Sequence, residues 1–384
     1  MTRCAAALSR HPVVAHATGE VVGSIVEQLG EAPDLAVVFA DVARTGALDD
    51  VVATIGTLVR PRVLFGATAS MVAGTHHEVE DGPAIALLAA RFPEGAGDAV
   101  PVRLQSIETD EGAAVLGLPD VGFDERALIL LADPFSLRVD LVLDAFASST
   151  PNLTVVGGLA SAARAPGGNR LVLDGRLHVD GAVGVLLPPG LDVRAIVSQG
   201  CRPIGDPMVV TKSAGSLIEE LASEPALARL LRMIEGLSAD DRALAAQGLH
   251  LGMVIDERKD TFGPGDFLVR NVLGAVRERD AIAVGSEVPV GAVVQFQVRD
   301  AGTADDELRT LLYGVDAAGA LLFTCNGRGT ALFGEADHDA AAVADVSADA
   351  LAGMACAGEV GPIGDRAFLH GYTASVLLFE SGEG

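Results

Sequence analysis

Residue types that can carry chemistry lie close together near the end of the chain. They occur in three segments that adjoin short apolar runs: Cys325-Asn326-Gly327-Arg328-Gly329, Ala355-Cys356-Ala357-Gly358-Glu359 and His370-Gly371-Tyr372-Thr373-Ala374-Ser375. Polar clusters at the ends of apolar runs are typical of strand ends that carry loops into a shared cleft. We therefore expect any functional site of this chain in these segments.

The first segment combines a thiol with an arginine that stands between two glycines. Glycine allows the backbone to approach closely, so the amides around Gly327 and Gly329 could converge on a ligand oxygen. Arg328 could add a two-pronged contact to a carboxylate or phosphate, and Asn326 lies beside it. A nearby guanidinium would favour the thiolate form of Cys325. The alternative is that Cys325 is a small buried hydrophobic residue and Arg328 a turn residue in a surface ion pair.

The acidic and imidazole groups that follow have two interpretations each. Glu359 could bind the ammonium group of a ligand, or it could pair with Arg328 or Arg366. His370 precedes a glycine and a strand, where a hydrogen-bonded structural role is favoured over chemistry.

Thr373 and Arg202 complete the predicted ligand-binding set. Thr373 and Ser375 alternate along the last strand and can line one of its faces. Arg202 stands between a cysteine and a proline, where it could bind a carboxylate or form a salt bridge that locks two domains together. We predict no catalytic residue and no cofactor.

Composition excludes several classes of protein. The chain has 384 residues, enough for two domains with full cores, and 49% of them are hydrophobic. Its net charge of −25 disfavours nucleic acid as a partner. The longest apolar runs, Ala127–Ala132 and Ala182–Leu187, are too short to cross a bilayer, and the start of the chain has no signal-peptide core. We expect a cytoplasmic protein without membrane insertion, and the scarcity of lysine indicates a bacterial, GC-rich genome.

No metal site is predicted. The four cysteines show no CxxC spacing, and His76-His77-Glu78 lacks the i, i+4 spacing of a zinc-binding helix, so we expect a solvated loop there. Residues 117–120 and 260–266 are predicted to be turns and loops.

A repeated order of elements runs through the chain. Each copy has a strand, a helix, a strand that leads into a glycine-containing turn, and a further strand after a second glycine. The copies comprise Leu35–Ala40, Asp49–Leu58, Arg62–Phe65 and Ala84–Ala90; Ala127–Ala132, Arg138–Ser148, Leu153–Val156 and Ala182–Leu187; and Leu321–Thr324, His338–Val346, Leu351-Ala352 and Thr373–Phe379. A weaker fourth copy, with its helix missing or displaced, is predicted in Leu249–Ile255, Leu273–Val276 and Ala292–Val298. The repeat predicts an internal duplication.

The fold class predicted is α/β, with two related halves in which β-sheets are layered with helices in an α-β-β-α-like order. A helix is expected over Thr18–Leu29 with Thr18 as its cap, and a helical region over Ser216–Leu237 that Pro225 splits. The predicted organisation is an N-terminal helix and lead-in over residues 1–29, a domain over 30–224 and a second domain over 225–384.

Four segments resemble the signature segments of the FIST family, in which FIST N-terminal and FIST C-terminal domains stand in tandem. These segments are Ser198–Gly205, Cys325–Gly329, Ala357–Pro362 and His370–Ser375. The resemblance spans roughly residues 30 to 380. It implies a sensory module that binds small ligands, with amino acids as the suggested class. Since no output domain is left outside the two predicted domains, a separate signalling protein is the expected partner.

Three functions stay open at this point. The favoured hypothesis is a small-molecule sensor in signal transduction, in which Arg328 and the amides hold a carboxylate and Glu359 holds an amine. The second is an acyl- or thiol-transfer enzyme with Cys325 as nucleophile and His370 as base. The third is a non-catalytic interaction scaffold, which would show a large apolar surface patch.

Overall fold

A computed structural model describes residues 1–110, 112–122, 126–150, 152–259, 261–263 and 265–382. Positions 260 and 264 of the predicted loop 260–266 lie outside the described residues. The strands, in chain order, are β1 Arg3–Ser9, β2 Leu35–Asp41, β3 Val63–Ala69, β4 Val72–Gly74, β5 His77–Val79, β6 Ile85–Arg91, β7 Val100–Thr109, β8 Gly112–Leu116, β9 Arg126–Ala132, β10 Leu153–Leu159, β11 Leu171–Leu173, β12 Arg176–His178, β13 Ala182–Leu186, β14 Val193–Gln199, β15 Cys201–Ala214, β16 Leu217–Leu221, β17 Glu224–Pro225, β18 Leu249–Val254, β19 Phe267–Val276, β20 Ala281–Val284, β21 Val293–Arg299, β22 Ala317–Cys325, β23 Leu351–Cys356, β24 Glu359–Ile363, β25 Arg366–His370 and β26 Thr373–Glu380.

The helices are α1 Val14–Leu29, α2 Leu48–Leu58, α3 Val139–Ser149, α4 Ala226–Gly236, α5 Ala239–Gln247, α6 Ala301–Leu312, α7 Thr330–Phe333 and α8 His338–Ala344, with 3₁₀ turns at Val42–Ala47 and Arg277–Arg279. Within the described ranges no helix combines the length and apolar character needed to cross a bilayer. The chain forms two compact units: unit 1 contains residues 1–197, 309–369 and 373–382, and unit 2 contains residues 198–308 and 370–372.

Unit 1 contains three copies of one α/β module, which confirms the predicted α/β class and the internal duplication. Module 1 runs β2, α2, β3, hairpin β4–β5 and β6; module 2 runs β9, α3, β10, hairpin β11–β12 and β13; module 3 runs β22, α8, β23, hairpin β24–β25 and β26. In each, the first two strands are parallel and the last strand returns antiparallel beside the first. A helical crossover is the connection that a parallel pair requires.

The hairpin of each module completes the sheet of a different module. The hairpin of module 1 pairs with β23 of module 3, that of module 2 with β3 of module 1, and that of module 3 with β10 of module 2. The resulting sheets have the orders β1-β6-β2-β3-β11-β12, β25-β24-β10-β9-β13-β7-β8 and β14-β26-β22-β23-β4-β5. The exchange is cyclic, so each module supplies main-chain hydrogen bonds to one neighbour and receives them from the other.

The inner faces of the three sheets of unit 1 share one hydrophobic core. It contains apolar side chains from β2, β3, β9, β10, β22, β23 and β26, and Phe39 of module 1 meets Phe323 of module 3 edge to face with ring centroids 6.0 Å apart. The helices α1 and α2 cover the outer face of the first sheet. Because the parallel strands are buried on both faces, they are almost continuously apolar in sequence.

Three glycines at equivalent places explain the glycine signal in the repeat. A Cβ atom on Gly66, Gly157 or Gly353 would lie 1.9, 2.0 or 2.6 Å from the carbonyl oxygen of the residue paired with it on the adjacent parallel strand. Each contact is with a backbone oxygen, and moving that oxygen would disrupt the pairing of the strands. Glycine is therefore required at this point of every module.

Unit 2 is built on an antiparallel sheet. Its strand order is β15-β21-β18-β19-β20-β16-β17, and an additional pairing between β15 and β16 closes the sheet on itself. The helices α4 and α5 contribute apolar side chains to the core on one face. The predicted fourth copy of the repeat is wrong, because β18 pairs antiparallel with both β19 and β21, whereas the first two strands of each module are parallel.

Two helix predictions also need correction. Residues Leu217–Leu221 form a strand, and the helix begins at Ala226, because this part of the chain pairs with β15 and β20. The first helix begins at Val14, so Thr18 lies inside it and donates its hydroxyl to the Val14 carbonyl at 2.8 Å instead of capping the helix. In both places tertiary pairing overrides the local signal.

Replacing Gly66 with alanine is expected to lower the free energy of unfolding by about 3 kcal/mol, because the new Cβ atom overlaps a carbonyl oxygen. The matched control is Gly56→Ala in α2, where nothing lies within 4 Å of the added carbon. That substitution should leave stability unchanged or raise it by about 0.5–1 kcal/mol. Urea denaturation of both variants measures the difference, and equal stabilities would refute the close-approach explanation.

Candidate functional site

The first strands of the three modules end at equivalent positions, and these positions differ in residue type. The register pairs Asp41 with Ala69 in module 1 and Cys325 with Cys356 in module 3. In module 2, Asp133 follows the end of β9 at the same place. All three side chains belong to the face of the strand that carries the shared core. The thiol of Cys325 thus stands where the other modules carry a carboxylate.

The local bonding is the same in all three modules. The Asp41 carboxylate accepts a hydrogen bond from the Ala43 amide at 2.8 Å, and the Asp133 carboxylate accepts one from the Phe135 amide at 3.3 Å. The Cys325 Sγ atom accepts one from the Gly327 amide at 3.3 Å. An N–H group that points at the sulfur stabilises the thiolate relative to the thiol. The Cys325 sulfur therefore occupies a position where the other two modules have a negatively charged hydrogen-bond acceptor.

Polar side chains from all three modules meet beside Cys325. The Ser70 hydroxyl of module 1 donates to Asn326 Oδ1 of module 3 at 2.7 Å, and the Ser70 amide donates to Ser161 Oγ of module 2 at 2.9 Å. Ser70 and Asn326 are exposed, whereas Cys325 and Ser161 are half-buried. We call these four residues the mouth of unit 1.

Glu359 and Thr373 form a buried pair next to the cysteines. Glu359 is 1% exposed, and its Oε2 atom accepts hydrogen bonds from the Thr373 amide at 3.1 Å and the Thr373 hydroxyl at 2.9 Å. Among the described residues, none forms a hydrogen bond with its other oxygen, Oε1. Burial raises the pKa of Glu359 to about 8, although the bonds from Thr373 and the charge of Arg328 act in the opposite direction. The carboxyl is therefore largely protonated at neutral pH.

Cys356 lies in the same buried region. Burial, followed by the charges of Glu359 and Cys325, raises the pKa of its thiol well above the usual value. A Cβ atom on Gly158, which pairs with Glu359 across the strands, would lie 2.4 Å from the Cys356 sulfur. Gly158 thus leaves room for this thiol beside Glu359.

Arg328 forms a buried salt bridge, and its predicted role as a carboxylate clamp for a ligand stays a prediction. Its Nε and Nη2 atoms donate to the two oxygens of Asp339 at 2.6 and 2.9 Å, and both side chains are fully buried. Thr324 also donates its hydroxyl to Asp339 at 2.9 Å. Burial opposes ionisation of Asp339, but the charge of Arg328 and hydrogen bonds from His338 and Arg328 outweigh it and hold the pKa of this carboxyl well below its usual range. The alternative of a surface ion pair is wrong.

Several amides of this turn already have hydrogen-bond acceptors within the chain. The Gly327 amide donates to the Cys325 sulfur, the Arg328 amide to the Cys325 carbonyl at 3.0 Å, and the Thr330 amide to Glu80 Oε1 at 2.8 Å. Gly329 has φ = 62°, which favours glycine, and it is packed against Glu80. These amides hold the turn in place.

Glu78 is a buried acid that the sequence did not reveal. It lies in β5, where a solvated loop was predicted, and its Oε1 atom accepts a hydrogen bond from the Ala340 amide at 3.1 Å. Burial and the negative charge of Asp339 raise the pKa of Glu78 to about 8. Its partners are more than 250 positions away in the sequence, so no local pattern could have identified it. Over the described positions, no group of three His, Cys, Asp or Glu side chains is placed to hold a metal ion.

The remaining predicted residues belong to unit 2. Arg202 binds Asp300 through Nε at 3.0 Å and also contacts Asp241, so its charge is matched within that unit. His370 is buried at the end of β25 and is grouped with unit 2, whereas Cys325 is in unit 1. The structure thus brings together Cys325, Asn326, Gly327, Arg328, Gly329, Glu359 and Thr373. The transfer-enzyme hypothesis, which needs His370 at Cys325, stays a prediction.

Asp339→Asn is expected to lower the free energy of unfolding by about 3–5 kcal/mol, because it leaves the Arg328 charge buried without its partner. The matched control is Asp144→Asn, which removes a solvent-exposed ion pair with Arg366. That control should cost at most about 1 kcal/mol. Chemical denaturation of the two variants gives the comparison, and similar losses would contradict a structural role for the buried pair.

Stability is expected to fall between pH 6.5 and pH 8. Glu78 and Glu359 have folded-state pKa values of about 8. The unfolded chain, with glutamate pKa values of about 4.3, has already lost these protons, so the folded state binds more protons across this range. Each group then lowers the free energy of unfolding by up to about 1.4 kcal/mol per pH unit.

The range begins at pH 6.5 because, below this pH, the titration of His250 makes the free energy of unfolding rise with pH instead of fall. Burial and the charge of Arg299 lower the pKa of His250 to about 4, so stability from this group rises with pH up to its unfolded value of about 6.5. Urea denaturation at several pH values should show a shallower slope for Glu359→Gln than for the natural chain. An identical slope would show that Glu359 is ionised in the folded state.

Comparison with known proteins agrees with this architecture. The FIST N domain model matches residues 34–224, and the FIST C domain model matches residues 226–362. The uncharacterized protein Mb0898c of Mycobacterium bovis is 41% identical over 379 residues, which cover 96% of each chain. The uncharacterized protein MT0656 of Mycobacterium tuberculosis is 40% identical over 388 residues, which cover 98% of this chain and 99% of the relative. The chain therefore belongs to the FIST family, whose domains are sensory modules that bind ligands in signalling.

Proposed function

We propose that this chain senses a small molecule that carries a primary amine, with an amino acid as the first candidate. The observation that carries the proposal is the Oε1 atom of Glu359, which has no hydrogen bond to a described residue. Glu359 is buried, is bonded to Thr373 through its other oxygen and interacts electrostatically with Cys356. A buried polar atom without a partner costs about 1–3 kcal/mol. A ligand that supplies an N–H donor removes this cost.

The charges around Glu359 favour a cationic group. Three carboxyl groups, Glu359, Glu78 and Asp339, interact electrostatically with a single arginine, Arg328. Arg328 is committed to Asp339, and the two glutamates retain their protons near neutral pH. An ammonium group next to Glu359 would stabilise its carboxylate and would form a charge-assisted hydrogen bond. Ionisation of Glu359 would thus leave one carboxylate without a positive partner, which an ammonium group could supply.

The mouth of unit 1 suits the other end of such a ligand. Ser70, Ser161 and Asn326 offer hydroxyl and amide groups from three different modules. The Asn326 side-chain NH2 group can donate to a ligand carboxylate, which is the role that we first expected of Arg328. The Ser70 and Ser161 hydroxyls donate to Asn326 Oδ1 and the Ala355 carbonyl, so they would have to rotate to reach the ligand. Arg328 would contribute through its electric field and not by direct contact. Ligands commonly bind where the carboxyl ends of parallel strands meet.

A structural change caused by ligand binding at the mouth of unit 1 could be recognised by a separate signalling protein. The mouth joins loops from three modules, and the side chains of those loops already depend on one another through hydrogen bonds. A ligand that changes these bonds alters the surface of all three loops together. We propose that a partner protein recognises this change, as the sensory role of the family suggests.

A thermal-shift screen tests the proposal. The purified chain is heated with amino acids, with the N-acetyl derivatives of the same amino acids, and with the corresponding amines that lack the carboxylate. A ligand at a hundred times its Kd stabilises the folded state by about 2.7 kcal/mol. We expect dose-dependent stabilisation by free amino acids, a weaker effect of the amines and no effect of the N-acetyl forms.

Two glutamate variants give the matched comparison. Glu359→Gln should abolish the shift, whereas Glu78→Gln should retain it, since Glu78 lies in β5 beside Ala340 and Asp339 of α8, whereas Glu359 is bonded to Thr373. Both acids are buried, have a pKa of about 8 and carry one oxygen without a hydrogen bond to a described residue, so the comparison tests the place of the acid and not its burial. Loss of the shift in both variants would indicate a general structural effect. Equal responses to free and N-acetylated amino acids would refute recognition of the amine.

A further inference from the structure

We propose that Cys325 and Cys356 form a thiol–disulfide exchange site, in which Cys325 reacts with a low-molecular-weight disulfide and Cys356 then closes an internal disulfide bond. This inference goes beyond ligand sensing and does not depend on it. It concerns a site of covalent modification in module 3.

Comparison of the three modules shows that the pair is specific to module 3. The same two strand-end positions hold Asp41 and Ala69 in module 1, and Asp133 and Ala160 in module 2. Only module 3 has a cysteine at both, although the chain has just four cysteines. In the other modules the residue at the first position accepts a hydrogen bond from the following turn, and the alanine at the second position packs in the hydrophobic core. Two thiols in register at these positions are a departure from the repeat.

The two cysteines have unequal surroundings that suit different roles. Cys325 is half-buried at the mouth, and its sulfur accepts the Gly327 amide hydrogen bond that carboxylates accept in the other modules. Cys356 is 1% exposed, and burial raises the pKa of its thiol well above the usual value. The thiolate is the attacking species in exchange, so Cys325 is the attacking thiol and Cys356 the resolving thiol.

Glu359 provides the second, independent observation at this place. Its carboxyl group is 1% exposed, has one oxygen without a hydrogen bond to any described residue, and influences the Cys356 thiol electrostatically. It lies across from Gly158, the glycine whose missing Cβ atom makes room for the Cys356 sulfur. When ionised, this carboxylate can accept the proton that Cys356 must lose.

The chemistry balances with a small disulfide as oxidant. The Cys325 thiolate attacks one sulfur of the disulfide, so that a mixed disulfide forms and one small thiolate leaves. Cys356 then gives up its proton and attacks the Cys325 sulfur, and the second small thiol leaves. Two protein thiols are oxidised to one disulfide, and one small disulfide is reduced to two thiols.

The strand register permits the final bond. Cys325 and Cys356 are direct partners on adjacent parallel strands. Neighbouring strands lie about 4.7–4.9 Å apart, which falls within the Cα separation of roughly 4.4–6.8 Å that disulfides span. Because both residues terminate their strands, the Cβ atoms can approach without disturbing the core pairs before them.

Oxidised glutathione is the probe for the experiment. The full chain is incubated with it, quenched with acid and analysed by non-reducing peptide mass spectrometry. We expect a Cys325–Cys356 disulfide in the natural chain and a stable glutathione adduct at Cys325 in Cys356→Ser. Cys4, whose pKa burial raises to about 12, and the buried Cys201 are internal controls and should react at least about tenfold more slowly.

Cys325→Asp is the second variant, because it restores the residue type of the other two modules and keeps the turn. It should melt like the natural chain and leave Cys356 unmodified. The proposal is overturned if Cys325 reacts no faster than Cys4 and Cys201. It is also overturned if the glutathione adduct at Cys325 persists in the natural chain as it does in Cys356→Ser.

Discussion

The exchange of hairpins between the three modules of unit 1 is the constraint on which the rest of this unit depends. Each module leaves its own sheet incomplete and fills the sheet of a neighbour, so main-chain hydrogen bonds close a cycle. An unpaired strand edge exposes backbone groups that must find partners. The cycle supplies those partners and at the same time fixes where the three strand ends meet. The mouth therefore depends on the exchange, whereas Cys325 and Cys356 lie side by side because β22 and β23 pair within module 3.

Module 3 differs from modules 1 and 2 in the residues at the end of its first strand. Modules 1 and 2 end their first strands with buried aspartates that hold the following turn. In module 3 the thiol of Cys325 takes over that hydrogen bond, and the arginine three positions later pairs with Asp339 instead. Asp41 and Arg44 keep the original relation, with 3.7 Å between carboxylate and guanidinium. The geometry of the turn is thus the same in the three modules, while the residue type at the strand end differs in module 3.

The buried acids give unit 1 a charge balance that a ligand can change. Asp339 is neutralised by Arg328, whereas Glu78 and Glu359 retain their protons because burial disfavours the charged form. An amine bound at Glu359 would shift that balance, and oxidation of the neighbouring thiols would alter the same region. Amine sensing and thiol exchange would then act on one set of loops, although each is tested on its own.

The sequence by itself determined the α/β class and the repeat, and it predicted a region for the site. Apolar periodicity located most strands of the modules, since strands buried on both faces are continuously apolar, and glycine marked the close approach at Gly66, Gly157 and Gly353. The partners of Arg328 and the burial of Glu78 were decided only by the tertiary structure, because hairpins from distant parts of the chain bring these side chains together. The antiparallel pairing of unit 2 was likewise invisible to local patterns. Spacing identifies which residues lie at strand ends, but only the pairing of the sheets decides which ends meet.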